Sequence, residues 1–326
     1  MECASPALVE VLTSVYQQTN AILFLLIAIA TVIVSFFAAK ALIECQIFPK
    51  TTRIIFAVGL AYANLHEIVK FYIRGKALLN SWTFDGDTCR LVMTALECRM
   101  PLNLIWMCMA GMVFTDTALT FDRLLATLFP TKYSANSILP GILFSLVVIA
   151  LSVIITLVTF GEEDYHGYVT HCIYPPEKSG LNIRRLLKFY TVVNFVNIAL
   201  NLLVLWLNRR ASAGIQYDLQ QRYHNYEVLT TTKAVSIIAI VQFIALGIYT
   251  SAMLFLTTLS AWIPQVLRLT MFPWLYAVTY GALLLPILIV VGASRVAKRR
   301  RCLIRNITAQ KESQDDRMKQ LNDMWR

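Results

Sequence analysis

Charge is scarce in this chain. Only 15% of its 326 residues are Asp, Glu, Lys or Arg, while 57% are hydrophobic. A soluble globular chain usually carries about 25% charged residues. With a mean hydropathy of +0.60, the composition excludes a water-soluble domain and indicates a membrane protein. Segments of about 10 residues with alternating hydrophobicity, the mark of a membrane β-barrel, are absent too, which leaves helices. Residues 1–19 have no basic n-region, so no cleaved signal peptide is expected and the first apolar run reads as an uncleaved anchor.

Enzyme parts are missing as well. No nucleophile and base stand together, no glycine loop cradles a phosphate, and no carboxylates pair. The run "ANLHEIVKFY" from Ala63 to Tyr72 puts Lys70 where a zinc protease needs its second histidine. Glu67 and Lys70 read more simply as an i,i+3 pair near the outer surface. No lysine occurs from Leu269 to Gly292, which argues against a retinal Schiff base. His166 and His171 read as a solvated loop pair rather than a metal site. Neither a metal nor a cofactor is expected.

What is present is a repeated apolar run. A hydrocarbon core about 30 Å thick takes roughly 20 apolar residues per helical crossing. Seven such runs are expected, at about 20–43, 52–73, 95–121, 138–160, 187–207, 233–258 and 269–292. Asn194, Asn197 and Asn201 recur at helical spacing in the fifth, so that face should turn towards other helices. The expected fold is an all-α seven-transmembrane-helix bundle. It has an extracellular N-terminus (1–19), a membrane domain (20–292) and a basic cytoplasmic tail (293–326).

Orientation follows from Lys and Arg, which cytoplasmic loops retain. With the N-terminus outside, 19 of the 29 basic residues lie inside and 10 outside. Over half of the inside set sits in the tail that contains "RVAKRRRCLIR". The net charge of +10 then reads as attraction to an anionic inner leaflet, not as a nucleic-acid footprint. Cys302, just past "KRRR", is a palmitoylation candidate. The sequon Asn306-Ile307-Thr308 falls on the cytoplasmic side, where it stays unmodified.

Of seven cysteines, Cys3, Cys89, Cys98 and Cys172 lie at outer segments, Cys108 is in mid-membrane, and Cys45 and Cys302 face the cytoplasm. Four outer cysteines allow two disulfides in three connectivities. The pairing favoured is Cys98 with Cys172, tying the third helix to the loop between the fourth and fifth. That leaves Cys3 with Cys89. Free thiols at the bilayer edge are the alternative.

Seven spans, an outer N-terminus, a disulfide-capable third helix and an inner basic tail describe a heptahelical receptor. The chain also resembles nematode serpentine chemoreceptors of the Sra and Srab branch. The resemblance is carried by "CASPALVEVLTS", by Cys89 and Cys98 followed by "RMP", by "TFDRLLAT" (Thr120 to Thr127), and by "QRYHNYEVLTTTK" leading to "QFIALGIY" (Gln221 to Tyr249). These residues do not separate Sra from Srab. The resemblance implies a G-protein-coupled receptor in the plasma membrane of sensory neurons or their cilia, detecting a small molecule. Its expected partners are that ligand, a heterotrimeric G protein, the bilayer and a second receptor copy as a dimer. The sequence departs from rhodopsin-like receptors in lacking Asn-Pro-x-x-Tyr in the seventh helix, where it offers Tyr280 and Pro286. It also lacks Trp-x-Pro in the sixth.

Cys98 to Arg123 is 25 residues, about 37 Å of helix, enough to cross with some tilt. From Cys89 the distance is about 51 Å, long for one crossing. Rhodopsin-like receptors share the 25-residue spacing, by resemblance. Asp122-Arg123 is therefore expected at the inner rim, with Pro130 and Lys132 just beyond. One reading makes it a G-protein switch, Arg123 being held by Asp122 and by Glu227, which lies about 30 Å of helix from a possible hinge at Gly247. The other makes Arg123 a snorkelling anchor.

Ligand-pocket candidates in the outer halves are His66, Asn103, Trp106, Met107, Tyr190, Asn194, Tyr249, Met253, Met271 and Trp274. Each is also explicable as ordinary packing. No charged group stands in an obvious pocket, which favours a neutral or weakly polar ligand. The functional alternatives are a seven-helix ligand-gated channel subunit with its N-terminus inside, or a small-solute transporter. The odd span count without an inverted repeat argues against the transporter.

Overall fold

Apolar runs bounded by short polar segments fold here as long helices. The computed structural model describes residues 4–44, 48–129, 137–163, 165–169, 172–173, 178–213, 219–259, 262–309 and 318; for 211–213, 219–229, 265–266, 268–269 and 303–309 it describes the backbone alone. In chain order the elements are α1 (Pro6–Thr13), α2 (Val15–Glu44), α3 (Lys50–Trp82), α4 (Thr88–Leu91), β1 (Met93–Thr94), α5 (Ala95–Leu128) and α6 (Leu139–Phe160). There follow β2 (Tyr168–Val169), α7 (Gly180–Ala213), α8 (Leu219–Thr258), α9 (Gln265–Leu275) and α10 (Val278–Ala309). Among the described residues, seven stretches are long and apolar enough to cross a membrane, supplied by α2, α3, α5, α6, α7, α8 and α9 with α10.

The outward faces are apolar and the inward faces partly polar, the arrangement lipid demands of a helix that already satisfies its own backbone. On α2, Leu26, Ile29, Ile33 and Phe36 are exposed while Asn20, Thr31 and Ser35 are buried. The central helix is α5, packed on α3, α6, α7 and α8. It begins with a side-chain N-cap: Thr94 Oγ1 accepts from Glu97 N at 3.3 Å. Close approach of α3 to α5 requires Gly111, where a Cβ would lie 2.5 Å from the Tyr62 ring. That ring reaches past α5 to α6, its hydroxyl 2.7 Å from Ser152 Oγ.

At one end of the bundle, β1 and β2 pair antiparallel, Met93 with Val169 and Thr94 with Tyr168. Beside them Cys98 is disulfide-bonded to Cys172, Cα to Cα 4.8 Å. Cys89 is also disulfide-bonded; Cys3 and Cys45 lie outside the described residues. Cys108 is buried and free, and Cys302 is exposed and free.

Several helices differ from the sequence expectation, the fifth and sixth spans starting earlier, at Gly180 and Leu219. The N-terminal segment is itself helical, α1 burying Val11 and Leu12, and α2 starts at Val15. The second span continues to Trp82, so Arg74 and Lys76 belong to a helix and not to the loop after residue 73. The seventh span is broken. Pro273 lies inside α9, and three residues later, at the C-cap, Tyr276 leaves helical geometry at φ −73°, ψ 70°. By contrast α8 runs through Gly247 without a break.

Candidate functional site

At the end of α5 opposite the disulfide, Arg123 does not extend to the surface. Arg123 is 2% exposed and Asp122 fully buried. The guanidinium donates from Nε to Asp122 Oδ2 at 3.0 Å and from Nη2 to the same oxygen at 2.5 Å. Nη2 also donates to Thr52 Oγ1 at 2.7 Å, and the Thr52 hydroxyl donates to Asp122 Oδ2 at 2.9 Å. Thr52, in the first turn of α3, thus closes a three-membered charge-assisted knot between α3 and α5. The sequence reading missed Thr52, because nothing in a "KTTR" helix start signals a partner 71 residues away. The side chain of Glu227, and Pro130 and Lys132, lie outside the described residues.

Along the neighbouring seam, α7 reads the threonines of α5. Asn197 Nδ2 donates to Thr117 Oγ1 at 2.9 Å, Asn201 Nδ2 to Thr120 Oγ1 at 2.8 Å, and Asn208 Nδ2 to Thr127 Oγ1 at 3.1 Å. The asparagine face therefore does turn inward. Asn194 is buried on it, with neither amide atom hydrogen-bonded.

Nearer the disulfide end, a polar cluster joins α3 to the break in the seventh span. His66 Nδ1 lies 2.8 Å from Glu67 Oε1, and His66 Nε2 lies 2.8 Å from the Tyr276 hydroxyl. The imidazole thus bridges a carboxyl group and a phenol through its two nitrogens. The His66 and Tyr276 rings stack, centroids 5.7 Å apart, and Tyr249 meets Tyr276 edge-on at 5.2 Å. Lys70 donates to the Thr279 hydroxyl, with Nζ 3.7 Å from the Phe24 ring centroid and 4.2 Å from that of Tyr276.

Two expectations fail here. Glu67 and Lys70 are buried rather than near the surface, and Glu67 pairs with His66, not Lys70. Charged side chains also line cavities, Arg74 one and Arg99 another, and Arg74 and Asp116 are buried. Aromatic faces and hydroxyls take the place of water around the lysine, so polarity in the sequence did not mean exposure. Asp116, a lone carboxylate in the apolar run of α5, was a legible signal that the sequence reading passed over. Tyr276 carried a weaker one, its position just after Pro273.

Among the described residues, the ligand-pocket candidates have different surroundings. His66, Tyr190, Asn194, Tyr249 and Met253 are buried in the bundle, and Phe114 meets Tyr190 edge-on at 6.3 Å. Trp106 packs on Phe160 at 5.9 Å. Asn103 and Met107 instead line a cleft of about 410 Å³ between α5 and α6, with Arg99 at its rim. Arg99 sits 5.2 Å from the Tyr165 ring, and burial pushes the Tyr165 hydroxyl above the usual phenol range. Trp274 packs on Tyr16 at 4.9 Å, and Met271 is 40% exposed, on the outside of the seventh span. His166 is exposed and His171 lies outside the described residues.

The family model described as serpentine type 7TM GPCR chemoreceptor Sra matches residues 1–325. The chain is 32% identical over 323 residues to serpentine receptor class alpha-10 of Caenorhabditis briggsae, covering 99% of this chain and 97% of the other. It is 31% identical over 326 residues to serpentine receptor class alpha-10 of Caenorhabditis elegans, with the same coverage. Against serpentine receptor class alpha-12 of Caenorhabditis briggsae it is 28% identical over the full length of both.

Proposed function

The chain belongs to the Sra family of serpentine seven-helix G-protein-coupled chemoreceptors, and on that premise we propose that it binds a small-molecule cue outside the cell and signals through a cytoplasmic heterotrimeric G protein. It is a multi-pass membrane receptor. In the proposed topology the N-terminus and the Cys98–Cys172 disulfide face outward, while Arg123 and the basic tail face the cytoplasm. The membrane is the plasma membrane of sensory neurons or their cilia. Cys302 is a site for palmitoylation beside the anionic inner leaflet.

The observation that carries the reading is the buried knot of Arg123, Asp122 and Thr52. An arginine that only anchored the helix would reach for headgroups and water. One held inside by a neighbouring carboxylate and a hydroxyl from another helix can exist in two arrangements, held and released. Cue binding needs to bias that equilibrium by only a few kcal/mol. Release presents the guanidinium to the G protein, and Glu227 on α8 serves as a second holding acid.

The test is a second-messenger response in cells expressing the chain with tags at both ends. N-terminal staining of intact cells and an odorant response lost in Arg123→Ala are expected. An N-terminus reached only after permeabilisation, or a full response from Arg123→Ala at equal surface expression, would sink the reading.

A further inference from the structure

The inward face of α3 carries three ionisable side chains, Glu67, Lys70 and Arg74. Lys70 and Arg74, one helical turn apart, are 1% and 3% exposed. Among the described residues, no carboxylate pairs with either of them. Glu67 is turned to His66, and its Oε2 has no hydrogen-bond partner. Lys70 is accommodated by the Thr279 hydroxyl and two aromatic faces. Arg74 is not: its one ring contact is Phe24 at 5.7 Å, and its Nε has no acceptor. A guanidinium offers five N–H donors and no acceptor, and leaving it unpaired inside a membrane protein is costly enough that such residues mark functional sites.

Arg74 also lines a cavity. The space, about 20 Å³, lies between α2 and α3 and is bounded by Arg74, Gln17, Gln18, Ser81, Leu12 and Leu91. It holds about one water-sized group, too little for a whole odorant but room for one oxygen of a small anion. Helix α1 covers it and is hydrogen-bonded in place. Ser81 Oγ donates to the Leu12 carbonyl at 3.1 Å, and Gln18 Nε2 donates to Ser81 Oγ at 3.1 Å and to the Thr13 carbonyl at 3.2 Å. A nine-tenths-buried guanidinium with no carboxylate at ion-pair distance thus faces a partly polar cavity beneath a short helical cover.

We propose that Arg74 binds the carboxylate of a short-chain organic acid in this cavity. The guanidinium donates charge-assisted hydrogen bonds to a carboxylate oxygen, and the bound anion is the direct partner that Arg74 Nε lacks. This deepens the receptor reading by naming the class of cue, and it rests on that reading only for the statement that binding is signalled.

The test reads binding without signalling. The purified full-length chain in lipid nanodiscs is melted in potassium methanesulfonate with added formate, acetate, acetamide or chloride. Saturating acetate should raise the melting temperature by about 3 °C, acetamide should leave it unchanged, Arg74→Gln should abolish the shift, and Arg74→Lys should keep part of it. Equal stabilisation by acetamide, a shift that survives in Arg74→Gln, or a shift with chloride alone would overturn the carboxylate assignment. If Arg74→Gln does not fold, the acetate and acetamide comparison in the unaltered chain decides. A melting shift with no second-messenger response to acetate would count against the receptor reading and not against the site.

Discussion

The imidazole of His66 stacks on the ring of Tyr276 and shares a 2.8 Å hydrogen bond with its hydroxyl. It thereby ties the middle of α3 to the break in the seventh span. The bond sits where the backbone leaves helical geometry, so its loss should loosen that break. Tyr276→Phe leaves His66 Nε2 buried and unpaired, at a cost of about 1–3 kcal/mol. A lowered melting temperature of the purified receptor checks this, with Tyr280→Phe, whose ring is 38% exposed, as the silent control.

Releasing Arg123 from its carboxylate should raise signalling without ligand. Asp122→Asn is expected to increase basal second-messenger output about fivefold, a shift of about 1 kcal/mol. Thr52→Val, which removes one of the two holding groups, should give a smaller rise. Basal output unchanged in both at equal surface expression would show that the knot only holds helices together.

Asn201 joins α7 to α5 through Thr120. Asn201→Leu fits a buried site but abandons that bond and leaves the Thr120 hydroxyl to the carbonyl of Asp116. The expected loss is about 1 kcal/mol, the scale of interhelical hydrogen bonds in membranes, read by thermal melting in nanodiscs.

Gly111→Ala should be more damaging than its size implies. Its methyl group would overlap the Tyr62 ring, and the ring is held by Ser152 on the far side, so it cannot swing freely. Overpacking of this kind costs about 1–3 kcal/mol. Tyr62→Leu combined with Gly111→Ala should recover part of the loss.

The Cys98–Cys172 bond closes 74 residues of chain, and its removal should cost about 2–5 kcal/mol. A reductant that does not cross membranes should abolish the cue response when applied to intact cells, if the disulfide faces outward. Loss only after permeabilisation would invert the topology.

The sequence by itself determined the seven crossings, because bilayer thickness dictates an apolar length per helix and that length is local. It also determined that the fifth span turns asparagines inward, and that Cys98 and Arg123 stand at opposite ends of one helix. Both follow from helical rise and periodicity within a single segment. Only the tertiary structure decided that Lys70 and Arg74 are interior. A window of hydropathy reads their charge as the end of a span, whereas α1, Phe24 and Tyr276 cover them from other parts of the chain. Thr52 and Arg123, 71 residues apart, and His66 and Tyr276, 210 apart, were likewise beyond periodicity. A hydrogen bond between helices depends on how their faces meet, and that is a property of the packed bundle and not of any one segment.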